Sequence, residues 1–363
     1  MNHFPQNITP LQRYRLLGKS GLRVSPLCLG TMTWGTAWTS FTGACTKESA
    51  RDIFSLYVAS GGNFFDTANA YQLGEAESWL GEFIQTALPA GLSRDDLVIA
   101  TKFSLPCPPG HVNATGNHRK NLVRSIDASL ERLRTTYVDL LYVHFYDGTV
   151  DADELVRSLQ YVVQSGKVLH VAISDAPAWF VSRCVTIAEL RGFSPFVAYQ
   201  GRFNAADRDC EAEILPMCKA LGLAFIPWSV LAAGRLASKS RANSTRGSGE
   251  LTELQERVHA TVCDVADALG KSVAAVAVSW TAATDAIASV MIGARSVEQL
   301  KDAIDGISFR LADADQQRIS DAGQIVHQFP HRFLEGADYT TIGWLRPGGL
   351  IVPHFDAPVL DDV

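Results

Sequence analysis

The sequence predicts one α/β domain closed as a (β/α)8 TIM barrel, and three observations carry that reading. Eight short runs are apolar at nearly every position, as parallel strands covered by helices are. Segments of helical periodicity separate them, so strand and helix alternate along the chain. The third observation is an absence. The first run leads into Gly30-Thr31-Met32-Thr33-Trp34-Gly35, not into the Gly-x-Gly-x-x-Gly turn of a doubly wound dinucleotide sheet. Gly247-Ser248-Gly249 is a poor substitute, because it lies in a polar stretch that reads as loop. The 363 residues exceed the usual single domain, but suit a barrel of about 250 residues with insertions.

The runs in order are Val24–Leu29, Asn63–Asp66, Leu97–Thr101, Val138–His144, Val168–Ser174, Phe196–Gln200, Leu223–Trp228 and Ala288–Ile292. Helices are expected from near Lys47, Glu75, Asp153, Pro177, Cys210 and Val297. Two more follow from their spacing. Leu122, Ile126, Leu130 and Leu133 form one apolar stripe, and Leu251, Leu254, Val258, Val262, Val265 and Leu269 form another. Pro177 sits where the first turn of a helix tolerates proline. Two segments stand outside the alternation. Leu231–Glu250 is a long, basic loop after the seventh strand, and the residues beyond Gln324 are rich in Pro, Gly and aromatics. The expected organisation is therefore a barrel over residues 14–328 and a tail over 329–363 that folds across the barrel mouth, with a partner-docking or disordered tail as the alternative.

Composition narrows the function. Apolar residues at 47% give a large core and exclude disorder as the main state. A net charge of −6 offers no basic excess for a phosphate backbone, so nucleic acid is not an expected partner. No run approaches the roughly 18 apolar residues of a membrane span, and Met1–Pro10 has no apolar signal core. The seven cysteines are scattered without a Cys-x-x-Cys pair, which reads as reduced thiols in a cytoplasmic protein and not as zinc ligands. No metal site is expected.

In a barrel, the C-terminal ends of the strands face the active-site mouth. Here they carry Asp66, Lys102, His144, Ser174 with Asp175, Gln200, and Trp228 with Ser229, and Tyr71 follows Asp66 by five residues. Singly, each has an ordinary explanation: a helix cap, a surface charge, a structural histidine. Together they form a proton-donor set for a carbonyl becoming an alkoxide. A tyrosine has an ordinary pKa of about 10, too high for an efficient acid near neutrality, and a neighbouring ammonium favours the phenolate. A carboxylate keeps that ammonium charged and oriented, and a histidine beside the phenol can hold the carbonyl oxygen. Such a set lacks only a hydride donor.

These residues sit in motifs that resemble the aldo-keto reductases. Phe65-Asp66-Thr67-Ala68-Asn69-Ala70-Tyr71 with Gly74-Glu75-Ala76-Glu77 looks like the family's first signature. Ala100-Thr101-Lys102, Asp139–His144 and Ile292-Gly293-Ala294-Arg295-Ser296 with Gln299-Leu300 are similar to later ones. Arg23–Gly30, Ser174–Trp179, Tyr199–Asn204, Ile214–Cys218 and Phe329–Phe333 resemble the aryl-alcohol dehydrogenase-like branch. The likeness runs from about Tyr14 to Phe333. It implies an NADP-dependent oxidoreductase that interconverts aldehydes or ketones, of aryl or alicyclic type, with alcohols. It implies a tetrad of Asp66, Tyr71, Lys102 and His144, with Tyr71 as general acid/base.

The cofactor implied is NADPH or NADP+, along Thr31, Met32, Asp66, Ser174, Asp175, Gln200, Trp228, Ser229, Leu231, Gly234, Arg235, Gly293, Arg295 and Gln299. Trp228 would cover one face of the nicotinamide, and Arg295 would grip a 2′-phosphate beside a helix start. Asp175 and Ala303 depart from the asparagines common in the wider family. Trp34, Phe103, Phe145 and Phe329 are the expected substrate pocket, against ordinary rim packing as the alternative. The competing function is a cofactor-binding regulatory subunit with little turnover, against which the complete tetrad argues. A barrel hydrolase or metal lyase would need a His-x-His or a carboxylate cluster at the mouth, and the sequence has neither.

Overall fold

The computed structural model describes residues 8–43, 45–239, 251–326 and 328–336. An antiparallel pair, β1 (Arg15–Leu16) and β2 (Arg23–Val24), precedes the barrel. Eight parallel strands follow: β3 (Leu27–Gly30), β4 (Phe64–Asp66), β5 (Val98–Phe103), β6 (Val138–Val143), β7 (Val168–Ser174), β8 (Phe196–Arg202), β9 (Ala224–Trp228) and β10 (Val290–Gly293). Their order is β10-β3-β4-β5-β6-β7-β8-β9. A parallel bridge between Phe225 and Ile287, with the Ala288 amide donating to the Phe225 carbonyl at 3.3 Å, joins β9 to the approach of β10.

The first run splits. Val24 belongs to the hairpin, and the barrel strand begins at Leu27. Pro26 lies between them and has no amide to give to a ladder, so pairing stops and restarts. The hairpin's Val24, with Leu17, plugs the barrel floor beneath Cys28, Phe64, Val98, Ala100, Leu140, Tyr142, Ala172, Ala198, Ala224 and Ile226. The alternate residues, such as Leu29, Phe65, Ile99, Leu141, Val171 and Ile173, face the helical ring in a larger core.

Helices fill the connections as periodicity predicts. Thr46 caps the helix Lys47–Ala59, Asp151 caps Ala152–Gln164, and Pro177 occupies the N-cap of Ala178–Arg191. The stripe from Leu122 to Leu133 lies on Arg119–Leu133, with Leu122, Ile126 and Leu133 buried. The later stripe lies on Glu253–Leu269, where Val258, Val262 and Val265 are buried and Leu269 at its end is exposed. An unpredicted helix, Val273–Ala282, sits between it and β10. It is apolar all round and buried, so it has no amphipathic signature. Two expectations fall partly outside the described residues: the loop after β9, beyond Lys239, and the tail beyond Gly336. No described helix is long and apolar enough to cross a membrane.

Candidate active site

β-Strand parity delivers the first group. Ala100 and Lys102 face inward on β5, while Thr101 and Phe103 face the helices. Lys102 is fully buried and is held by three oxygens. Its ammonium forms an ion pair with Asp66, donates to the Thr67 carbonyl at 2.9 Å, and donates to the Tyr71 hydroxyl at 3.1 Å. Gln200, on β8 across the barrel, donates to the other Asp66 oxygen at 2.9 Å. The segment after β4 stays paired to β5, the Thr67 amide donating to the Ala100 carbonyl and the Asn69 amide to the Lys102 carbonyl. That pairing carries Tyr71 to its place beside the ammonium. Gln72, Leu73 and Gly74 then take left-handed backbone angles, and the chain turns into the helix Glu75–Thr86.

His144 closes the group. Its amide donates to the Phe103 carbonyl at 3.2 Å, its ring meets Tyr71 edge-on with centroids 5.6 Å apart, and Phe145 stacks on it at 4.3 Å. Nδ1 of His144 is buried with no hydrogen-bond partner. Burial, reinforced by the Lys102 charge, holds His144 well below the ordinary histidine range. Burial raises Asp66, against the opposing pull of Lys102. Lys102 is raised: burial works against its charge, and Asp66 and Tyr71 together outweigh it. Tyr71 is also raised, because burial outweighs the ammonium that was expected to lower it. The buried phenol therefore holds its proton more tightly than a tyrosine in water.

A second group lies across the mouth. The Trp228 indole N–H donates to Asp175 at 3.1 Å, and Asp175 adjoins Ser174, which is in register with Gln200. Trp228 is half-buried. Ser229 takes a left-handed backbone, and Leu231 leads into the tight turn Ala232–Gly234. Arg235, next to it, donates to Gln255 at 3.2 Å. A third group lies at β10. Gly293 is in register with Gly30, and Gly30 with Asp66. A Cβ on Gly293 would meet only the Gly30 carbonyl, at 3.8 Å, so the mouth is open there. The Arg295 amide donates to Gln299 at 2.8 Å, and Ser296 caps the helix Val297–Ser308. The Arg295 guanidinium lies against Gly43. Thr31 donates to the Asp66 carbonyl from both its amide and its hydroxyl, and the carbonyl of half-buried Met32 accepts from Gln72. A half-exposed indole, glycines without side chains at two strand ends, and a guanidinium beside a capped helix start are a donor set that fits a dinucleotide.

The four pocket expectations separate. Phe145 lines the mouth and is partly exposed. Trp34 is fully buried and packs edge-on to Phe83, and Phe103 faces the outer core. Phe329 is 80% exposed beside Phe333, and the nearby His331 pairs with Glu213 at 2.7 Å. Sequence reasoning missed Trp38, whose ring meets Tyr71 edge-on at 6.3 Å. Gln72 holds it there by accepting from the Trp38 amide at 2.6 Å. It also missed Asn69, which is buried and donates to the Leu105 carbonyl at 2.9 Å, tying two mouth loops together. Asn69 was visible inside the motif ending at Tyr71, whereas only an aromatic in the loop after β3 pointed to Trp38. Among the described residues, no three His, Cys, Asp or Glu side chains are grouped to hold a metal ion.

Comparison with known proteins agrees with this geometry. The model of the aldo/keto reductase family matches residues 26–324. A norsolorinic acid reductase of Emericella nidulans is 40% identical over 338 residues, covering 91% of this chain and 86% of its own. An aryl-alcohol dehydrogenase of Pestalotiopsis microspora is 38% identical, covering 89% of this chain and 85% of its own. An aldo-keto reductase of Emericella nidulans is 36% identical, covering 94% and 89%.

Proposed function

The chain belongs to the aldo/keto reductase family, and from that premise we propose that it reduces aryl or alicyclic carbonyls with NADPH, Tyr71 giving the proton. It is an oxidoreductase of carbonyls and alcohols, of a family that works with nicotinamide dinucleotides. The observation that carries the finer reading is the buried chain from Tyr71 through Lys102 to Asp66 at the barrel mouth.

A bound reduced nicotinamide supplies a hydride, two electrons with one proton, to the carbonyl carbon. The residues of this chain do the rest. His144 is neutral, and a proton on Nε2 leaves Nδ1 as a buried lone pair, which costs less than a buried N–H without an acceptor. Nε2–H then donates to the carbonyl oxygen and orients it. As the C=O bond takes the hydride, its oxygen takes the Tyr71 proton, and the phenolate left behind faces the Lys102 ammonium at 3.1 Å. Asp66, Thr67 and Gln200 fix that ammonium and its counter-ion. In alcohol oxidation the same groups run backwards.

Trp38 and Phe145 flank Tyr71 and His144, which supports a flat apolar carbonyl as the substrate. Arg295 with Ser296 and Gln299 supports the 2′-phosphate of NADPH over NADH. Seven cysteines scattered without a Cys-x-x-Cys pair support a reducing, cytoplasmic setting.

Tyr71→Phe tests the assignment. It keeps the ring and removes the acid, so reduction of an aromatic aldehyde should fall by about 10²–10⁴-fold. NADPH should still bind, as read by cofactor fluorescence. A variant that keeps most of its turnover would show that Tyr71 is not the acid.

A further inference from the structure

We infer that the Trp228–Asp175 pair reads the charge of the nicotinamide ring, holding the oxidised cation more tightly than the neutral reduced form. The inference rests on the cofactor reading above.

Among the described residues, Asp175 is an acid without a cation. Its carboxylate lies mostly out of water and accepts from the Trp228 indole N–H at 3.1 Å. Among the described residues it has no lysine, arginine or histidine within ion-pair distance. The two cations whose fields reach it are engaged elsewhere: Lys102 with Asp66, and Arg202 with Asp207 at 2.7 Å. Burial raises the carboxyl, while the hydrogen bonds from Trp228 and Ser174 hold it down. The backbone fixes its aim. Asp175 sits at φ 44°, its amide donates to the Gln200 carbonyl at 3.1 Å, and its carbonyl accepts from Tyr146 at 3.4 Å.

The indole is fixed by the same bond. With Nε1 engaged at its edge, the ring keeps one orientation and leaves part of its surface open at the mouth. An aromatic face attracts cations through its quadrupole, and a carboxylate that lacks a counter-ion attracts them more strongly. Together they complement a ligand that is both flat and positively charged. A nicotinamide ring is such a ligand when oxidised, and it loses its positive charge when it accepts a hydride. A neutral hydrogen-bonding residue at 175 would orient the ring equally well but would not distinguish the two states. The oxidised cofactor should therefore be a strong product inhibitor of reduction.

Calorimetric titration of the full chain with NADP+ and with NADPH tests this, using the wild type and Asp175→Asn. Asparagine accepts the same indole bond and tolerates the left-handed backbone. The variant should bind NADP+ about tenfold or more weakly while NADPH stays within about twofold, so the ratio of the two dissociation constants moves by roughly that factor. Asp175→Ser, which also removes the charge, should move the ratio the same way and serves if the asparagine chain does not fold. A ratio within about twofold of wild type, or equal weakening of both nucleotides, overturns the inference while leaving the cofactor reading intact. A wild-type chain that binds neither nucleotide overturns the cofactor reading itself.

Discussion

Lys102→Met isolates what the buried ammonium does for stability and for chemistry. The lysine is fully buried and Asp66 nearly so, and their ion pair is supported by the Thr67 carbonyl and by Gln200. Methionine fills similar space but leaves the Asp66 carboxylate with Gln200 as its remaining side-chain donor. Removing one partner of such a pair costs about 3–5 kcal/mol, a large part of the roughly 5–15 kcal/mol by which a domain is stable. Asp66 can relieve the loss by taking a proton. Burial already raises it, and removing Lys102 removes the main opposing pull. In the variant its folded pKa lies further above the unfolded value, so the folded state binds the extra proton and the deficit shrinks as pH falls through that folded pKa towards the unfolded value. The second step adds Asp66→Asn. A neutral amide beside methionine leaves no unpaired charge, so urea denaturation followed by circular dichroism should recover most of the lost stability. Turnover should not recover, because Tyr71 still lacks the cation that stabilises its phenolate. A double variant as unstable as Lys102→Met would refute the charge argument. A double variant that regains activity would refute the role given to Lys102.

Two further outcomes follow from the same structure. Arg295→Ala should weaken NADPH binding about tenfold more than NADH binding, since only NADPH carries the 2′-phosphate, and equal losses in paired titrations would remove Arg295 from the phosphate site. For His144, burial first and the Lys102 charge second lower the folded pKa, so the unfolded chain binds the proton that the folded chain refuses. This residue's contribution to stability is complete above about pH 6.5 and falls below it by up to about 1.4 kcal/mol per pH unit, until the folded imidazole itself titrates. Urea denaturation at pH 7 and pH 5 should show a smaller acid-side loss for His144→Gln than for wild type, and identical losses would refute the assignment.

The barrel was legible because its strands alternate with periodic helices, and because an inward strand position can be counted from its neighbours. Asp66, Ser174 and Trp228 end their strands, and Lys102, His144 and Gln200 lie within two residues of a strand end near the mouth. The same counting failed for Phe103. One residue beyond Lys102, it faces the helices, because side chains alternate along a strand. The helix Val273–Ala282 was missed because periodicity marks only elements with one wet face. The hairpin at Arg15–Val24 escaped because each of its strands is two residues long.

What sequence could not supply at the site was the balance between charge and burial. Lys102 lies 3.1 Å from the Tyr71 hydroxyl, and on that contact alone the phenol should lose its proton more readily than in water. The surrounding residues decide otherwise. Trp38 and His144 both meet the phenol edge-on, and desolvation raises Tyr71 in spite of the ammonium. Trp38 owes its place to Gln72, one residue past Tyr71 and turned back by a left-handed backbone, a contact that no spacing rule predicts. The barrel thus places a buried phenol next to the cation that, in the proposed reduction, stabilises its conjugate base. Without Lys102, burial alone would act on the phenol, and its proton would be harder still to release.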